Sequence, residues 1–138
     1  MDKYHNTETL LKKYRDVAWN IEVANMQMNM DSHNPINELL DISYSENTQI
    51  KEQTKTIEKN KKILSLIDRA LELIRNKQKY GREYYQVLYY TFITNEPLNS
   101  TAEIVDKLCD EGCCMTDKTY FRRKNEAIKL LSEILFGL

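Results

Sequence analysis

TDKTYFRRKNEAIKLLSEILFG, residues 116–137, is a stretch with the marks of one long helix. Thr116 offers an N-cap hydroxyl, and Gly137 stands where a helix end favours a residue that tolerates positive φ. At about 100° per residue, one stripe of this helix is formed by Tyr120, the stem of Lys124, Ala127, Leu131, Ile134 and Leu135. The opposite stripe holds Lys118, Arg122, Asn125 and Lys129. The sequence therefore predicts an amphipathic helix with a basic outer face.

The outer stripe carries cations and an amide, which are the side chains that contact phosphates and base edges when a helix enters a DNA groove. Charged outer faces are also common on helices that only meet solvent. Both interpretations stay open until the preceding segments are considered.

The composition of the chain favours an all-α fold, and its charge limits how the chain could attract DNA. Its 138 residues suit one domain or a small domain with a helical extension, and only 3 Gly and 2 Pro leave little material for turns. The net charge of −1 hides an asymmetry, since residues 1–50 carry 4 Lys/Arg against 8 Asp/Glu while residues 51–138 carry 16 against 13. Any attraction to DNA must therefore be local.

No apolar run approaches the roughly 18 residues of a membrane-spanning helix, and the N-terminus lacks the apolar core of a signal peptide. We therefore expect a cytoplasmic protein without membrane contact. Three cysteines, Cys109, Cys113 and Cys114, are an odd number in one short stretch, which is typical of reduced thiols. The two histidines, His5 and His33, lie far from them, so buried thiols are favoured over a metal site.

Two heptad seams predict a long helical arm in the first half of the chain. The first is formed by Leu10, Tyr14, Val17, Ile21, Ala24 and Met28. It predicts a helix over about 8–30, which the segment 32–35 stops with its proline, and residues 36–47 are ambiguous. The second is formed by Ile50, Gln53, Ile57, Asn60, Leu64, Ile67, Leu71 and Ile74. It predicts a helix over about 46–78 whose C-terminal half docks into a core; an intramolecular hairpin and a homodimeric coiled coil remain alternatives.

Residues 75–82, RNKQKYGR, form a basic junction that contains a glycine, and they place a boundary between an arm, 1–78, and a C-terminal domain, 79–138. Such junctions are usually solvated connections, and the alternative is a phosphate clamp. The tyrosine-rich stretch that follows, residues 84–93, is expected to form a helix whose tyrosines line a small core. A base-stacking platform is the alternative interpretation of these tyrosines.

The C-terminal domain shows three helices in the order of a helix-turn-helix module. A helix over about 82–94 is followed by a short helix over about 100–110, and then by the long helix over about 116–136. Ser100 and Glu103 form a capping box at the start of the second helix. In a helix-turn-helix the last helix lies in the major groove, and the preceding one braces it.

Three segments of this domain, YQVLYYTF (85–92), LNSTAEIVDKL (98–108) and MTDKTYFRRKNEAI (115–128), resemble the region 4-like helix-turn-helix of bacterial sigma factors. The resemblance is closer to the ArpU family of phage-encoded transcriptional regulators, and it covers about residues 80–137. It implies sequence-specific binding to double-stranded DNA and regulation of phage or prophage genes. The sequence departs from the family pattern by an insertion, residues 109–115, between the last two helices.

The helical wheel and the resemblance agree on Lys118, Arg122 and Asn125 as candidates for contact with base edges. Base edges are assigned to Lys118, Phe121, Arg122 and Asn125, with Phe121 suited to a thymine methyl group. Phosphates are assigned to Ser100, Thr119, Arg123, Lys124 and Lys129. Tyr120, Ala127, Ile128 and Leu131 are assigned to the core.

No phosphate loop, activated nucleophile or metal-ligand set is present in the sequence, so we expect a protein that is not an enzyme and needs no cofactor. The alternative function is a helical adaptor that binds a protein such as RNA polymerase or a phage component and does not contact DNA.

Overall fold

The chain folds into α-helices in the computed structural model, which describes residues 2–29, residue 39 and residues 47–137. In chain order the helices are α1 (Lys3–Asn29), α2 (Asn47–Arg75), α3 (Gly81–Leu88), α4 (Thr101–Asp110) and α5 (Asp117–Phe136), and a π-helical turn, Tyr89–Ile93, continues α3. No strand occurs in these residues, which confirms the all-α prediction. No helix among them is long and apolar enough to cross a membrane.

The first helix begins earlier than predicted because an aspartate caps it. The Asp2 carboxylate accepts a hydrogen bond of 3.0 Å from the backbone N–H of His5, so the helix begins at Lys3 rather than near residue 8. Its end at Asn29 agrees with the prediction. The proposed stop at residues 32–35 and most of the ambiguous segment 36–47 lie outside the described residues.

The chain divides into two compact units whose limits differ from the predicted boundary at residue 78. One unit combines Met1–Arg15 with Ser65–Leu138, and the other is Asp16–Leu64. The start of α1 and the C-terminal half of α2 therefore share a unit with α3, α4 and α5. A heptad seam shows which side of a helix is apolar, but it does not show which partner covers that side.

Within the unit Asp16–Leu64, one seam residue from each helix is buried. Ile21 of α1 is 9% exposed and Ile57 of α2 is 5% exposed. Each of the two helical segments of this unit therefore has a buried apolar position, and the intramolecular hairpin and the homodimeric coiled coil both stay predictions.

In the larger unit the predicted docking of the C-terminal half of α2 is confirmed, since Ile67, Leu71 and Ile74 are all buried. At the start of α1 the seam is displaced. Leu11 is 1% exposed, whereas the predicted Leu10 is only half-buried. Thr7, one turn before Leu11, is also buried and its hydroxyl donates to the Lys3 carbonyl at 2.7 Å.

The junction between α2 and α3 depends on a glycine. A Cβ atom at Gly81 would lie 2.6 Å from the Ile74 carbonyl oxygen and 2.9 Å from that of Arg75. The start of α3 therefore packs directly on the backbone at the end of α2, an approach that any side chain at this position would block. Tyr80, immediately before it, has a φ of 61° and turns the chain between the two helices.

Arg15 of α1 covers the C-terminal end of the π-helical turn. Its Nε donates to the Thr94 carbonyl at 2.7 Å and its Nη2 to the Thr91 carbonyl at 3.4 Å. A cation at this position satisfies carbonyl groups that have no partner within the helix and meets the negative end of the helix dipole. Burial lowers the pKa of the Arg15 guanidinium.

The turn between α4 and α5, residues 111–116, is ordered by its own backbone. Gly112 has a φ of 90°, the Cys113 N–H donates to the Leu108 carbonyl at 2.8 Å, and the Gly112 N–H donates to the Cys109 carbonyl at 3.0 Å. This pattern is a Schellman motif, in which the residue after the glycine packs on the last turn of the helix. Cys113 and Leu108 are indeed both buried in one cluster with Val87, Ile104 and Tyr120.

The prediction of buried reduced thiols holds only for Cys113. Cys109 and Cys114 are exposed and form a disulfide across the turn. The reason for the difference is the tight Schellman turn, which brings the two Cα atoms to 3.9 Å although they are five residues apart. An odd number of cysteines alone did not reveal that one pair would meet.

Candidate nucleic-acid interface

The outer face of α5 is the feature that the sequence pattern singled out. Thr116 caps the helix as predicted, since its hydroxyl accepts a hydrogen bond from the Thr119 N–H at 3.2 Å. Gly137, with a φ of 89°, follows the last residue of the helix. The core side is also confirmed, because exposure falls to 2% or less at Tyr120, Ala127, Ile128 and Leu131. Ile134, predicted on the same stripe, is 36% exposed because the core ends before the last turn.

Three of the four predicted base contacts lie exposed on the first half of this helix. Lys118 and Arg122 extend into solvent, and Phe121 is 47% exposed between them. The Arg122 guanidinium lies 4.0 Å from the Glu126 carboxylate, with 61% of the arginine side chain exposed. An exposed pair at that distance contributes little, so the guanidinium is available to another anion.

Asn125, the fourth predicted base contact, is exposed, but its side-chain oxygen already has a hydrogen-bond partner within the protein. Its Oδ1 accepts a hydrogen bond of 2.8 Å from the hydroxyl of Tyr4 in the first turn of α1. Lys3, beside Tyr4, donates to the Gly137 carbonyl at 2.9 Å. The start of α1 thus lies against part of the outer face beyond the first two turns, which stay open, as does Lys129.

Arg123, predicted to contact phosphate, has a different place in the structure. It is 8% exposed, and its Nε donates to the Glu83 carboxylate at 2.8 Å. A second ion pair joins its Nη1 to Glu126 at 3.3 Å, and the guanidinium carbon lies 3.7 Å from the centre of the Tyr80 ring. Because these contacts already satisfy the guanidinium, Arg123 holds α5 to the start of α3 and is a poor candidate for phosphate.

Glu126 also connects α5 to Tyr84 of α3, whose hydroxyl donates to Oε2 at 2.5 Å. This hydrogen bond, followed by the nearby Arg123, holds the pKa of the Glu126 carboxyl below its usual range. Burial and the same carboxylate raise the pKa of Tyr84 to about 12. Near neutral pH the pair is therefore a phenol donating to a carboxylate.

The other predicted phosphate contacts differ in their solvent exposure and in the contacts that they already make. Ser100 is exposed and its hydroxyl accepts from the Glu103 N–H at 3.3 Å, while Glu103 accepts from the Asn99 N–H rather than from that of Ser100. The Thr119 hydroxyl is 3.1 Å from that of Thr116. Lys124 is half-buried with its ammonium about 6 Å from the ring of Phe121, and Lys129 is exposed.

The exposed charges near the first turns of α5 are of both signs. Lys118 and Arg122 project from α5, whereas Glu103, Asp106 and Asp110 make the exposed side of α4 acidic. The acidic residues of α4 outnumber its one exposed lysine, Lys107, so α4 adds no favourable long-range attraction to a phosphate backbone.

Two groups of residues were missed or set aside by the sequence-based interpretation. Tyr4 lies 121 residues from Asn125, and no local pattern predicts that contact. The basic junction 75–82 and the tyrosines after it were each assigned a structural role, but the structure brings Arg75, Arg82, Tyr85 and Tyr89 to one cavity.

Comparison of the chain with protein-family models, with curated proteins and with solved structures found no match in any of the three.

Proposed function

We propose that this protein is a sequence-specific DNA-binding regulator of phage or prophage transcription, in which the first two turns of α5 enter the major groove. One observation carries the proposal: Lys118, Phe121 and Arg122 are exposed together at the capped start of a long helix. An α-helix with its side chains is about 10–12 Å across, which suits a groove about 12 Å wide. The resemblance to ArpU-type regulators points to the same function.

The surrounding packing supports this use of α5. The segment α4–turn–α5 is closed by a Schellman motif and by the buried cluster around Leu108 and Tyr120. The turn is thus held by backbone hydrogen bonds on one side and by core packing on the other. A helix supported in this way keeps its exposed first turns in one position, which direct base contacts require.

Base contacts are proposed for Lys118, Phe121 and Arg122. Asn125 joins them only if the Tyr4 hydrogen bond opens. Lys124, Lys129, Ser100 and Thr119 remain proposed phosphate contacts. With the two lysines of this set at phosphates, the logarithm of the binding constant should fall with the logarithm of salt concentration with a slope of about −2.

The test is a selection of fragments from phage and host genomes with the purified protein, followed by titration of the selected site. Lys118→Ala and Arg122→Ala should each weaken specific binding by about 1–3 kcal/mol and relax preference at the contacted base. Lys129→Ala should weaken selected and random duplexes alike. Equal affinity of the wild type and both base-contact variants for the selected site would exclude α5 as the recognition helix.

A second candidate function is that of a helical adaptor for RNA polymerase or a phage component. It is favoured by two exposed leucines of α2, Leu66 at 57% and Leu73 at 61%, which stand seven residues apart on one side of the helix. It is also favoured by the acidic side of α4. The two functions separate at low salt, where a DNA-binding protein should bind even random duplex and an adaptor should not.

A further inference from the structure

A cleft at the junction of α2 and α3 combines two chemical groups that were considered separately in the sequence. Its volume is about 620 Å³, within the roughly 300–1,000 Å³ of small-molecule sites. We name it the Arg-Tyr cleft and define it by its lining residues, Arg75, Asn76, Arg82, Tyr85, Gln86, Tyr89 and Tyr90. None of these residues lies on α5.

Two arginines supply the positive charge of the Arg-Tyr cleft. Arg75 lies 3.8 Å from Glu72, and more than half of each side chain is exposed, so this pair competes weakly with another anion. Arg82 donates from Nη2 to the backbone carbonyl of Glu111 at 3.0 Å, which leaves its charge without a carboxylate at that atom. A second recess of about 370 Å³ adjoins the same two arginines. Guanidinium groups are suited to phosphate because they offer several donors in one plane.

Three tyrosines supply an aromatic wall. The rings of Tyr85 and Tyr89 are nearly parallel, with an interplanar angle of 14° and centroids 6.1 Å apart, and Tyr90 meets Tyr89 edge-on at 5.0 Å. The Arg75 guanidinium lies 5.3 Å from the centre of the Tyr85 ring, so the charged and aromatic parts are in contact. All three rings are only half-buried, whereas Tyr84 in the same helix is buried.

Two amide residues, Asn76 and Gln86, also line the Arg-Tyr cleft. Gln86 Oε1 is buried, and it has no hydrogen bond within the described residues. A buried acceptor without a donor costs free energy. The amide of Asn76 adds a second polar group to the wall.

We infer that the Arg-Tyr cleft binds a nucleoside phosphate. The base stacks on the wall of Tyr85 and Tyr89, and the phosphate lies against Arg75 and Arg82. Stacking is tolerant of sequence because every base has a π-face. The ligand has two sources, a free mononucleotide or an unpaired nucleotide of a strand. This site does not depend on the proposed function of α5.

The experiment is calorimetric titration of the full chain with 5′-AMP, adenosine, inorganic phosphate and a single-stranded pentanucleotide. We expect 5′-AMP to bind more tightly than adenosine or phosphate alone, because only the nucleotide engages both halves of the cleft. A pentanucleotide tighter than 5′-AMP identifies an unpaired strand as the source, and the reverse order identifies the free nucleotide. No binding of either nucleotide probe, or phosphate binding as tightly as 5′-AMP, would overturn the inference.

Substitutions of cleft residues test whether 5′-AMP binds in the Arg-Tyr cleft. Tyr89→Ala should weaken 5′-AMP binding roughly 5- to 100-fold by loss of stacking, and Tyr89→Phe should retain most of the affinity. Arg75→Gln should weaken it at least several-fold, while the control Arg69→Gln, an exposed arginine of α2 outside the cleft, should not. Equal affinity of Arg75→Gln and Tyr89→Ala with the wild type contradicts the site, provided that thermal melting shows both folded.

The α5 variants Lys118→Ala and Arg122→Ala should bind 5′-AMP normally, and the cleft variants should bind the selected duplex normally. A negative result for DNA binding by α5 can therefore be distinguished from a negative result for nucleotide binding by the Arg-Tyr cleft.

Discussion

Arg122 and Arg123 are adjacent in the chain, and we predict that their substitution affects different properties of the protein. Arg123→Met keeps much of the aliphatic stem but deletes a guanidinium that pairs with Glu83 at 2.8 Å and with Glu126 at 3.3 Å. Arg122→Met deletes an exposed guanidinium whose nearest carboxylate is 4.0 Å away. The first change should lower stability, and the second should lower DNA affinity.

The size of the expected loss of stability follows from the solvent exposure of each partner in the ion pairs. Breaking a fully buried ion pair costs roughly 3–5 kcal/mol, and breaking an exposed one costs about 0–1 kcal/mol. The Arg123 side chain is 10% exposed, while Glu83 and Glu126 are 36% and 38% exposed, so an intermediate value of about 2 kcal/mol applies. Loss of the contact with the Tyr80 ring adds about 0.5 kcal/mol. Arg122→Met should stay within about 0.5 kcal/mol of the wild type.

The assay is thermal melting at neutral pH together with duplex titration. For a chain of this size about 2–3 kcal/mol corresponds to a fall in Tm of roughly 6–10 °C. The difference should shrink in acid. The pKa of Glu126 is lowered in the folded state, so its contribution is present above the ordinary value of 4.5 and is lost as pH falls below it. The melting difference between the wild type and Arg123→Met should therefore narrow below about pH 4.5.

An Arg123→Met variant that has the same Tm as the wild type and loses DNA affinity would refute this reasoning. It would mean that the guanidinium leaves its two carboxylates and contacts phosphate.

Two further substitutions test local features of the fold. Ser100→Ala removes the hydroxyl that caps α4 and should lower the free energy of unfolding by about 1 kcal/mol in urea denaturation; unchanged stability with weaker DNA binding would instead indicate a phosphate contact. Gly81→Ala places a Cβ atom 2.6 Å from the Ile74 carbonyl oxygen and should cost about 1–3 kcal/mol. Gly137→Ala is its control, since nothing lies within 4 Å there and only the φ of 89° opposes the substitution. A milder effect at Gly81 than at Gly137 would contradict the close approach.

The helices, their caps and the two sides of α5 were predictable because each depends on residues within about one turn. The capping hydroxyls of Ser100 and Thr116 meet N–H groups three residues later. The burial of Tyr120 and Leu131 follows from helical periodicity, which is a property of spacing alone. The start of α1 was the exception, since Asp2 was not recognised as its cap.

The partners of the polar residues were not predictable, because they come from distant parts of the chain. Arg122 and Arg123 look alike in sequence, yet only Arg123 meets a carboxylate 40 residues away. Tyr4 reaches Asn125 across 121 residues. The cysteine pair was missed for a different reason, since the backbone turn that joins Cys109 to Cys114 was not anticipated.

The sequence by itself determined that the chain is helical and that α5 has one apolar and one basic side, because hydrophobic periodicity and capping act over three to seven residues. Only the tertiary structure decided which cations stay open, which part of α5 is covered by α1, and that the basic junction and the tyrosines line one cleft. Those outcomes depend on how the helices pack together, and packing joins residues whose separation in the chain carries no local signal.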